Sequence, residues 1–447
     1  MSTMTLTPED HARLRAAYPE VFRKDPMDRF KGPLLAIGLV LYLVFCWFFF
    51  NVGPTIAEGK WERVGAYVSD WYSWEAAPRI KFGPDGASID YGKFSPLGRN
   101  PNPDWLVRQA DGSVTVTFGS KADRVEIGAD QATAYLAGVA YHIPMGATGP
   151  MLPQDAPEAI EAKGERVTVR YGFAGSIELR KSQSVVRRRF FGWENFVFDT
   201  NSAFFGMGPG EVIGRIVAGP DLKPGVSNAA LAWENFLNNA EWQHGDVFTK
   251  LLQTIVMAFV GTLLASLVAL PLAFVAARNI TRNKAANWVT KRFFDFTRSV
   301  DMLIWALFFT RGFGPGPLAG ISAIFVTDSG TLGKLYAEAL ENVDDKQREG
   351  VKSVGAHPAE VQRYGVVPQV LPVFASQALY FWESNTRSAT VIGAVGAGGI
   401  GLKLLEAMRT NSDWENVAYM VLLILVVVFV FDGISNRLRT KLIGETH

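Results

Sequence analysis

Uncharged apolar runs long enough to cross a bilayer are the feature that most constrains this chain. Residues 34–52 form the first run and residues 251–277 form another. Backbone polar groups inside a bilayer must find partners within the chain, so runs of about 20 apolar residues predict membrane helices. The first run exceeds the apolar core of a signal peptide, and no small-residue cleavage site follows it, which favours an uncleaved anchor. The sequence therefore predicts an α-helical polytopic membrane protein.

Basic residues predict the orientation of the loops, because Lys and Arg concentrate on the cytoplasmic side of membrane proteins. A basic leader precedes residue 34, a second basic cluster lies between Arg278 and Arg298, and the tail reads Arg437-Leu-Arg-Thr-Lys441. About six transmembrane helices with both termini in the cytoplasm satisfy this rule at every loop. The predicted spans cover residues 34–52, 251–277, 302–309, 318–340, 370–395 and 417–431.

The stretch between the first two spans alternates apolar and polar residues as half-buried strands do. Residues 113–118, 124–127 and 165–171 show the alternation most clearly. We therefore predict an inserted β-rich extracytoplasmic domain with its linker. The predicted divisions are a cytoplasmic segment at 1–33, the first transmembrane helix at 34–52, the insert and linker at 53–245, and a transmembrane domain at 246–447.

Composition excludes several kinds of function. A formal net charge of +1 lacks the surplus of Lys and Arg that nucleic-acid binding requires. The single cysteine, Cys46, and five scattered histidines offer no metal-ligand spacing. The nearest approach to a phosphate-binding loop, Gly330-Thr-Leu-Gly-Lys-Leu335, has neither the required spacing nor the hydroxyl. We therefore expect no metal site, no cofactor, no nucleic-acid partner and no ATP hydrolysis in this chain.

A charged cytoplasmic loop at 341–368 has the layout of two short helices joined at a glycine corner. Gly355 tolerates positive φ, and Pro358 suits the first turn of a second helix. An ordinary solvated loop is the alternative interpretation. The candidate functional residues of this loop are Glu349, Gly350, Val351, Gly355, Ala356, His357, Pro358, Val367 and Pro368.

The fifth predicted span carries charged and polar side chains at membrane depth. Glu383 and Arg387 lie four residues apart on one helical face. Either they pair to lock helices together, or Arg387 meets an anionic solute. Arg298, Asp301 and Asp328 on neighbouring spans are weaker candidates, because we expect them nearer helix ends. The candidates for a solute path are Glu383, Ser384, Asn385, Arg387, Ser388 and Thr390.

A glycine-rich extracytoplasmic loop follows that span. Its sequence Gly396-Ala-Gly-Gly-Ile-Gly401 matches the pattern of dinucleotide-binding loops, with glycines at 396, 398, 399 and 401. A dinucleotide site requires a strand before the loop and an open sheet around it, whereas membrane spans flank this one. A tight re-entrant loop where helices approach closely is the favoured interpretation.

The 341–368 loop resembles the EAA loop of permeases of ABC importers. Glu349, Gly350, Val351 and Gly355 occupy the signature positions, and Val367 with Pro368 ends the motif. Gly350 and Val351 replace the two alanines of that family, and Gly365 stands where an apolar residue is usual. The resemblance implies that the loop docks on a separate ATPase subunit, which binds ATP and Mg.

The last 200 or so residues resemble the permease of phosphonate ABC transporters. The similarity is carried by Phe381-Trp-Glu-Ser-Asn-Thr-Arg-Ser-Ala-Thr390, by the glycines that follow, and by Glu338-Ala-Leu-Glu-Asn342. It implies the type I ABC importer fold in a bacterial inner membrane, with a second copy of the chain, an ATPase dimer inside, an extracytoplasmic substrate-binding protein outside and lipid around it. The implied solute is phosphonate or a related phosphorus oxyanion. The insert departs from the short linker expected in that family.

Two alternatives stay open from the sequence. The solute could be another small anion, such as phosphate, phosphite or a phosphate ester. From a different class, the chain could be a membrane-anchored receptor or enzyme acting through the external domain. That domain contains His142, Asp130 and Glu126 without a nucleophile elbow or a metal-spaced pair.

Overall fold

The computed structural model describes residues 13, 14, 16–18, 28–59, 61–83, 86–92, 95–98, 101–146, 149–410 and 414–443. The chain divides into two compact units, residues 1–67 and 68–447. Most of the predicted cytoplasmic segment at 1–33 lies outside the described residues. The first unit contains helices α1 (Asp28–Phe49), α2 (Val52–Ala57) and the start of α3 (Trp61–Asp70). Within α1, residues 30–49 have a mean hydropathy of 2.2 and are unburied, as a lipid-facing helix requires.

Two facing antiparallel sheets form the first part of the second unit, and the predicted β-rich region is confirmed. The three stretches with clear alternation became strands β5, β6 and β11. The strands are β1 (Ser73–Ala76), β2 (Arg79–Gly83), β3 (Gly86–Asp90), β4 (Leu106–Arg108), β5 (Val114–Thr117), β6 (Arg124–Ile127), β7 (Gln131–Leu136), β8 (Val139–Gly146), β9 (Gly149–Pro150), β10 (Ile160–Lys163), β11 (Arg166–Arg170), β12 (Gly175–Arg180) and β13 (Ser184–Phe191).

Most neighbouring strands are joined by hairpins, and the exception is β13, which pairs with β1 and β2 from the start of the domain. The first sheet runs β10-β11-β12-β13-β2-β3, with β1 also paired to β13, and the second runs from β4 to β9 in chain order. Alternate side chains of both sheets meet in one core, where Val116, Ile127, Val167 and Ile177 are fully buried. The Tyr171 hydroxyl donates to the carbonyl oxygen of Arg124 at 2.9 Å and ties the two sheets together.

Helices form the rest of the second unit. They are α4 (Pro209–Ala218), α5 (Asn228–Leu237), α6 (His244–Ala276), α7 (Lys284–Ser299), α8 (Met302–Phe313), α9 (Pro317–Glu341), α10 (Asp345–Ser353), α11 (Pro358–Glu360), α12 (Val367–Ile392), α13 (Gly399–Thr410) and α14 (Trp414–Ile443). Wider π-helical turns at Val361–Val366 and Gly393–Ala397 join α11 to α12 and α12 to α13.

Small side chains hold the long helices together. Along α6, Ala265, Ala269 and Ala273 recur every four residues and are fully buried in a cluster with Leu332 and Tyr336 of α9. In lipid the hydrophobic effect no longer drives helices together, so close van der Waals approach through small residues does so. The repeated alanines of α6 therefore fix its position against α9.

Length and composition identify fewer crossing helices than the predicted six. Within the described residues, α1, α6 and α14 are long and apolar enough to cross a membrane. A fourth crossing is possible if 358–397 and Gly399–Arg409, bent by 58° at the break, count as one span. The predicted third span corresponds to the short apolar helix α8. In α9, Asp328 and Lys334 lower the apolar content of the predicted fourth span.

Candidate functional site

The 341–368 loop folds as two short helices that lead directly into α12. Asp344 caps the first of them, α10, by accepting a hydrogen bond from the Lys346 backbone at 3.0 Å. Gly355 then turns the chain with φ of 81°. The second, α11, starts at Pro358 with a capping box, in which the Glu360 side chain accepts from the His357 backbone N–H at 2.8 Å. These local signals explain why the predicted two-helix layout forms.

One side of this loop packs against the helical domain and the other side is exposed. Val361, Gly365 and Val366 are buried. In contrast, Val354 is 82% exposed and Tyr364 is 62% exposed. Among the predicted residues, Glu349, Gly350, Gly355, His357, Pro358 and Pro368 are exposed, while Val351, Ala356 and Val367 are half-buried. The loop thus exposes its outer surface, while its inner side is buried and continues directly into α12.

The charged residues of α12 find partners on α14 rather than on each other. Glu383 accepts from Nη2 of Arg439 at 3.4 Å. Nη2 of Arg387 lies 3.8 Å from a carboxylate oxygen of Asp432, and its side chain is 58% exposed. The structure therefore joins α12 to α14 by two ion pairs and contradicts the pairing of Glu383 with Arg387.

A buried polar cluster lies deeper in the helical domain. The side-chain amide of Asn385 donates to the Thr262 hydroxyl at 2.8 Å and also to the Asp328 carboxylate. All three side chains are 2–3% exposed, and they join α6, α9 and α12. The placement of Asp328 near a helix end was wrong, because it lies in the middle of α9. Ser384, Ser388 and Thr390 are half-buried on the same helix as Asn385.

The glycine-rich loop is a bend where two helices touch. The backbone breaks between the turn Gly393–Ala397 and α13, with φ of 101° at Gly396, 83° at Gly398 and 70° at Gly399. At Gly401 the constraint is space, since a Cβ would lie 1.9 Å from the carbonyl oxygen of Thr390. No strand lies directly before the motif, which instead follows α12 and the turn Gly393–Ala397 and leads into α13. Close helix approach accounts for the glycines.

We expect Gly401→Ala to lower the melting temperature of the detergent-solubilised protein, because the added methyl forces α13 away from α12. Overpacking of this kind costs about 1–3 kcal/mol. Gly433→Ala in α14 is the matched control, since a Cβ there would have no other atom within 4 Å. Equal melting temperatures for the two variants would contradict the close-approach explanation.

An aromatic and polar junction connects the linker to the helical domain. His244, fully buried, lies 2.8 Å from the Tyr419 hydroxyl through Nδ1 and 2.6 Å from the Phe196 carbonyl oxygen through Nε2. The sequence Trp-Glu-Asn-Phe occurs twice in the linker, at 193–196 and 233–236. The phenylalanine of each copy contacts His244: the ring centroids of Phe196 and Phe236 lie 4.9 and 4.1 Å from that of the His244 ring. The junction thus fastens both linker segments to α6 and α14.

Glu241 makes this junction sensitive to pH. Burial raises its pKa from 4.5 to about 7, helped by the nearby carboxylates of Asp199 and Glu194 and opposed by the hydrogen bond from Asn195. An acid with a raised pKa in the folded state keeps a proton that the unfolded chain has lost. The folded state therefore loses stability as pH rises from about 4.5 to about 7.

We accordingly expect Glu241→Gln to raise the melting temperature at pH 8 and to change it little at pH 4.5. Glutamine keeps an acceptor for the Asn195 amide, which lies 3.2 Å from the carboxylate oxygens, and removes only the charge. Thermal unfolding of both proteins across this pH range is the measurement. An equal shift at both pH values would show that burial of the charge is not the cause.

Sequence reasoning missed the residues that complete these contacts. Asp432 and Arg439 on α14 are the partners of the two charges on α12, and Thr262 lies inside an apolar run. The signal for Asp432 was its position in an otherwise apolar stretch. For Thr262 no local signal exists, because a hydroxyl in a membrane helix often bonds only to its own backbone.

Comparison with known proteins matches the helical part of the chain. The family described as "binding-protein-dependent transport system inner membrane component" matches residues 269–443. A phosphite transport system permease protein of Stutzerimonas stutzeri is 40% identical over 189 residues, which are 42% of this chain and 68% of that protein. A cryptic phosphonate transport system permease protein of Escherichia coli K12 is 47% identical over 121 residues, 27% of this chain and 98% of that protein.

A phosphate-import permease protein of Mycolicibacterium smegmatis is 33% identical over 198 residues, 44% of this chain and 37% of that protein. A second phosphite transport system permease protein of Stutzerimonas stutzeri is covered over 66% of its length. The chain thus spans about two thirds of the phosphite permeases and little more than a third of the phosphate permease. Because it covers more than two thirds of two relatives at 40% and 47% identity, the chain belongs to the family of inner membrane components of binding-protein-dependent transport systems.

Proposed function

We propose that this chain is the transmembrane permease subunit of an ATP-driven importer of phosphite, phosphonate or a related phosphorus oxyanion. The observation that carries the proposal is the 341–368 loop, exposed on its outer side and attached to α12 on its inner side. The sequence has no phosphate-binding loop of its own. Energy from ATP must therefore enter through a surface that contacts another subunit.

The 341–368 loop suits that task mechanically. An ATPase subunit that binds the exposed residues around Gly355 transmits its movement to Val361 and Val366, which are buried against the helical domain. The turn containing them continues into α12, the helix that carries Glu383, Asn385 and Arg387. A movement of the loop is thereby a movement of the proposed solute path, which is the kind of rigid-element coupling that drives conformational change.

Arg387 is the proposed contact for the anionic solute. Its guanidinium is more than half exposed, and its partner Asp432 lies at 3.8 Å, beyond ideal hydrogen-bond distance. A phosphorus oxyanion offers oxygens that match the guanidinium fork and replace the carboxylate of Asp432. Glu383 is instead engaged with Arg439, so we assign it to fixing α12 against α14.

The other partners and the topology follow from the same proposal. We place about six spans in the inner membrane with both termini in the cytoplasm, in the type I ABC importer arrangement. A dimer of ATPase subunits binds ATP and Mg, and a substrate-binding protein delivers solute from outside. Exposed charges such as Arg387 at membrane depth need protein or water over them rather than lipid, which supports a second copy of the chain on this side. A receptor or enzyme acting through the β domain is not favoured.

Uptake into proteoliposomes tests the function. The permease is reconstituted with its ATPase and binding protein, and ATP-dependent accumulation is measured for phosphite, phosphate, several phosphonates and phosphate esters. We expect one of these oxyanions to accumulate and to stimulate ATP hydrolysis. Failure of every oxyanion, with uptake of an uncharged solute or a cation instead, would refute the proposed solute class.

A further inference from the structure

One face of the first sheet carries an excess of positive charge that the proposed transport path does not use. Alternate residues of each strand point into the sandwich core, and the other set points away from it. We call that outward set the basic face. Its basic members are Arg79, Lys81, Lys163, Arg166, Arg170, Arg180, Arg187 and Arg189, and its acidic members are Glu75, Asp90, Glu161 and Glu178.

Ion pairs neutralise only part of this charge. Glu178 pairs with both Arg166 and Arg180, and Glu161 pairs with Arg170. Arg189 is 2.7 Å from the Asp70 carboxylate at the end of α3. The four remaining cations are offset only at longer range, by Glu75 near Arg187 and by Asp90 opposite Arg79, because they have no carboxylate within ion-pair distance in the part of the chain that the structure describes. They are Arg79, Lys81, Lys163 and Arg187, and all four are exposed.

The excess belongs to this face and not to the whole domain. On the second sheet the outward residues of β5 and β6 are Thr115, Thr117, Arg124 and Glu126. The last two neutralise each other at 3.0 Å. If the whole domain were basic, for example for solubility, the outward sides of both sheets would carry excess Lys and Arg. The excess on one sheet alone indicates a partner that binds that side.

We infer that the basic face is the docking surface for an acidic face of the solute-binding protein, an inference that rests on the proposed function. Its cations are spread over the neighbouring strands β10, β11, β12, β13 and β2, which lie about 4.8 Å apart, and this spacing suits a broad macromolecular surface rather than one small anion. The apolar members of the outward set are Val185 and Phe191. Phe191 lies at one end of the face beside Tyr72 and Phe173, and this small aromatic group does not form the continuous apolar face that membrane insertion needs. Complementary charge raises the rate of protein encounter and fixes orientation.

The test uses the full transporter in nanodiscs of neutral lipid and the purified solute-binding protein that supports uptake. Arg79→Gln, Lys81→Gln and Arg187→Gln are combined in one variant, which removes three positive charges. We expect its Kd for the binding protein to rise about ten-fold at low salt, with a shallower dependence of Kd on salt than the wild type shows. A merely structural effect would leave the salt dependence unchanged.

A control variant makes a charge change of the same size on the second sheet. Val107→Glu, Thr117→Glu and Gln131→Glu add three negative charges on the outward side of the second sheet, where Val107 is 45% exposed and Gln131 is exposed. We expect this variant to bind as the wild type does.

If wild-type uptake proceeds and the Gln variant docks with unchanged Kd and salt dependence, the inference is wrong while the proposed function stands. Unchanged docking together with lost binding to phosphatidylglycerol vesicles would assign the face to the membrane and overturn the inference. Absence of uptake by the wild type with every solute and binding protein would remove the proposed function itself.

Discussion

Gly355→Asp should abolish ATP-coupled uptake while the permease still inserts into the membrane and folds. Gly355 turns the chain between α10 and α11 with φ of 81°, and a Cβ there would have no other atom within 4 Å. Within the chain, the only cost of the substitution is the free energy that a residue with a side chain needs to adopt the left-handed conformation, about 1–2 kcal/mol. On the proposed docking surface, however, it places a carboxylate where the ATPase must fit closely. Burial of an unpaired charge in an interface costs several kcal/mol, enough to prevent assembly.

Gly355→Asn is the matched control for this prediction. Asparagine has nearly the shape of aspartate and adopts positive φ more readily than most residues, but it carries no charge. We expect it to keep part of the uptake and of the ATPase binding that Gly355→Asp loses. Measurements of ATPase co-purification, uptake in proteoliposomes and membrane insertion separate the three effects. Normal uptake by the aspartate variant would contradict the proposal that the 341–368 loop binds the ATPase subunit.

Local signals predicted the parts of this protein that local forces determine. The alternation at 124–127 became strand β6 with the same bounds, because a strand with one buried face needs alternating side chains. Gly355 and Pro358 mark the corner and the second helix of the 341–368 loop, because each residue restricts φ in its own way. These features need no knowledge of distant residues.

Contacts between distant helices were not predictable from the same signals. Glu383 and Arg387 have the right spacing to pair along one helix, yet they meet residues of α14 that lie 56 and 45 positions later in the chain. The helix-spacing rule ranks partners within one helix and does not consider a neighbouring helix with complementary charges. Asp328 was ranked near a helix end because the uncharged apolar run stops just before it, although the predicted span at 318–340 already places it mid-helix, as α9 does. No local signal shows that Asp328 is buried beside Asn385 of α12, because that contact joins residues 57 positions apart.

The buried cluster of Asp328, Asn385 and Thr262 should show strong coupling between its members. Asn385→Leu removes the amide that donates to the Asp328 carboxylate and leaves that carboxylate in an apolar interior. Removal of one partner of a buried hydrogen bond costs about 1–3 kcal/mol, and more when the group left without a partner is charged. We therefore expect a large fall in the free energy of unfolding and in the melting temperature of the solubilised permease. Ser384→Ala, one position earlier and half-buried, should change both only slightly.

The double variant Asp328→Leu/Asn385→Leu should be more stable than Asn385→Leu alone. Leucine is close in shape to both residues it replaces, and loss of the carboxylate removes the group that the single variant leaves without a donor. Replacement of both partners by apolar side chains of similar shape is often nearly neutral, whereas loss of one is not. Thermal unfolding of the two single variants and the double variant gives the coupling free energy directly. If the two losses simply add, the cluster does not act as a unit, and Asp328 must be stabilised by something other than Asn385.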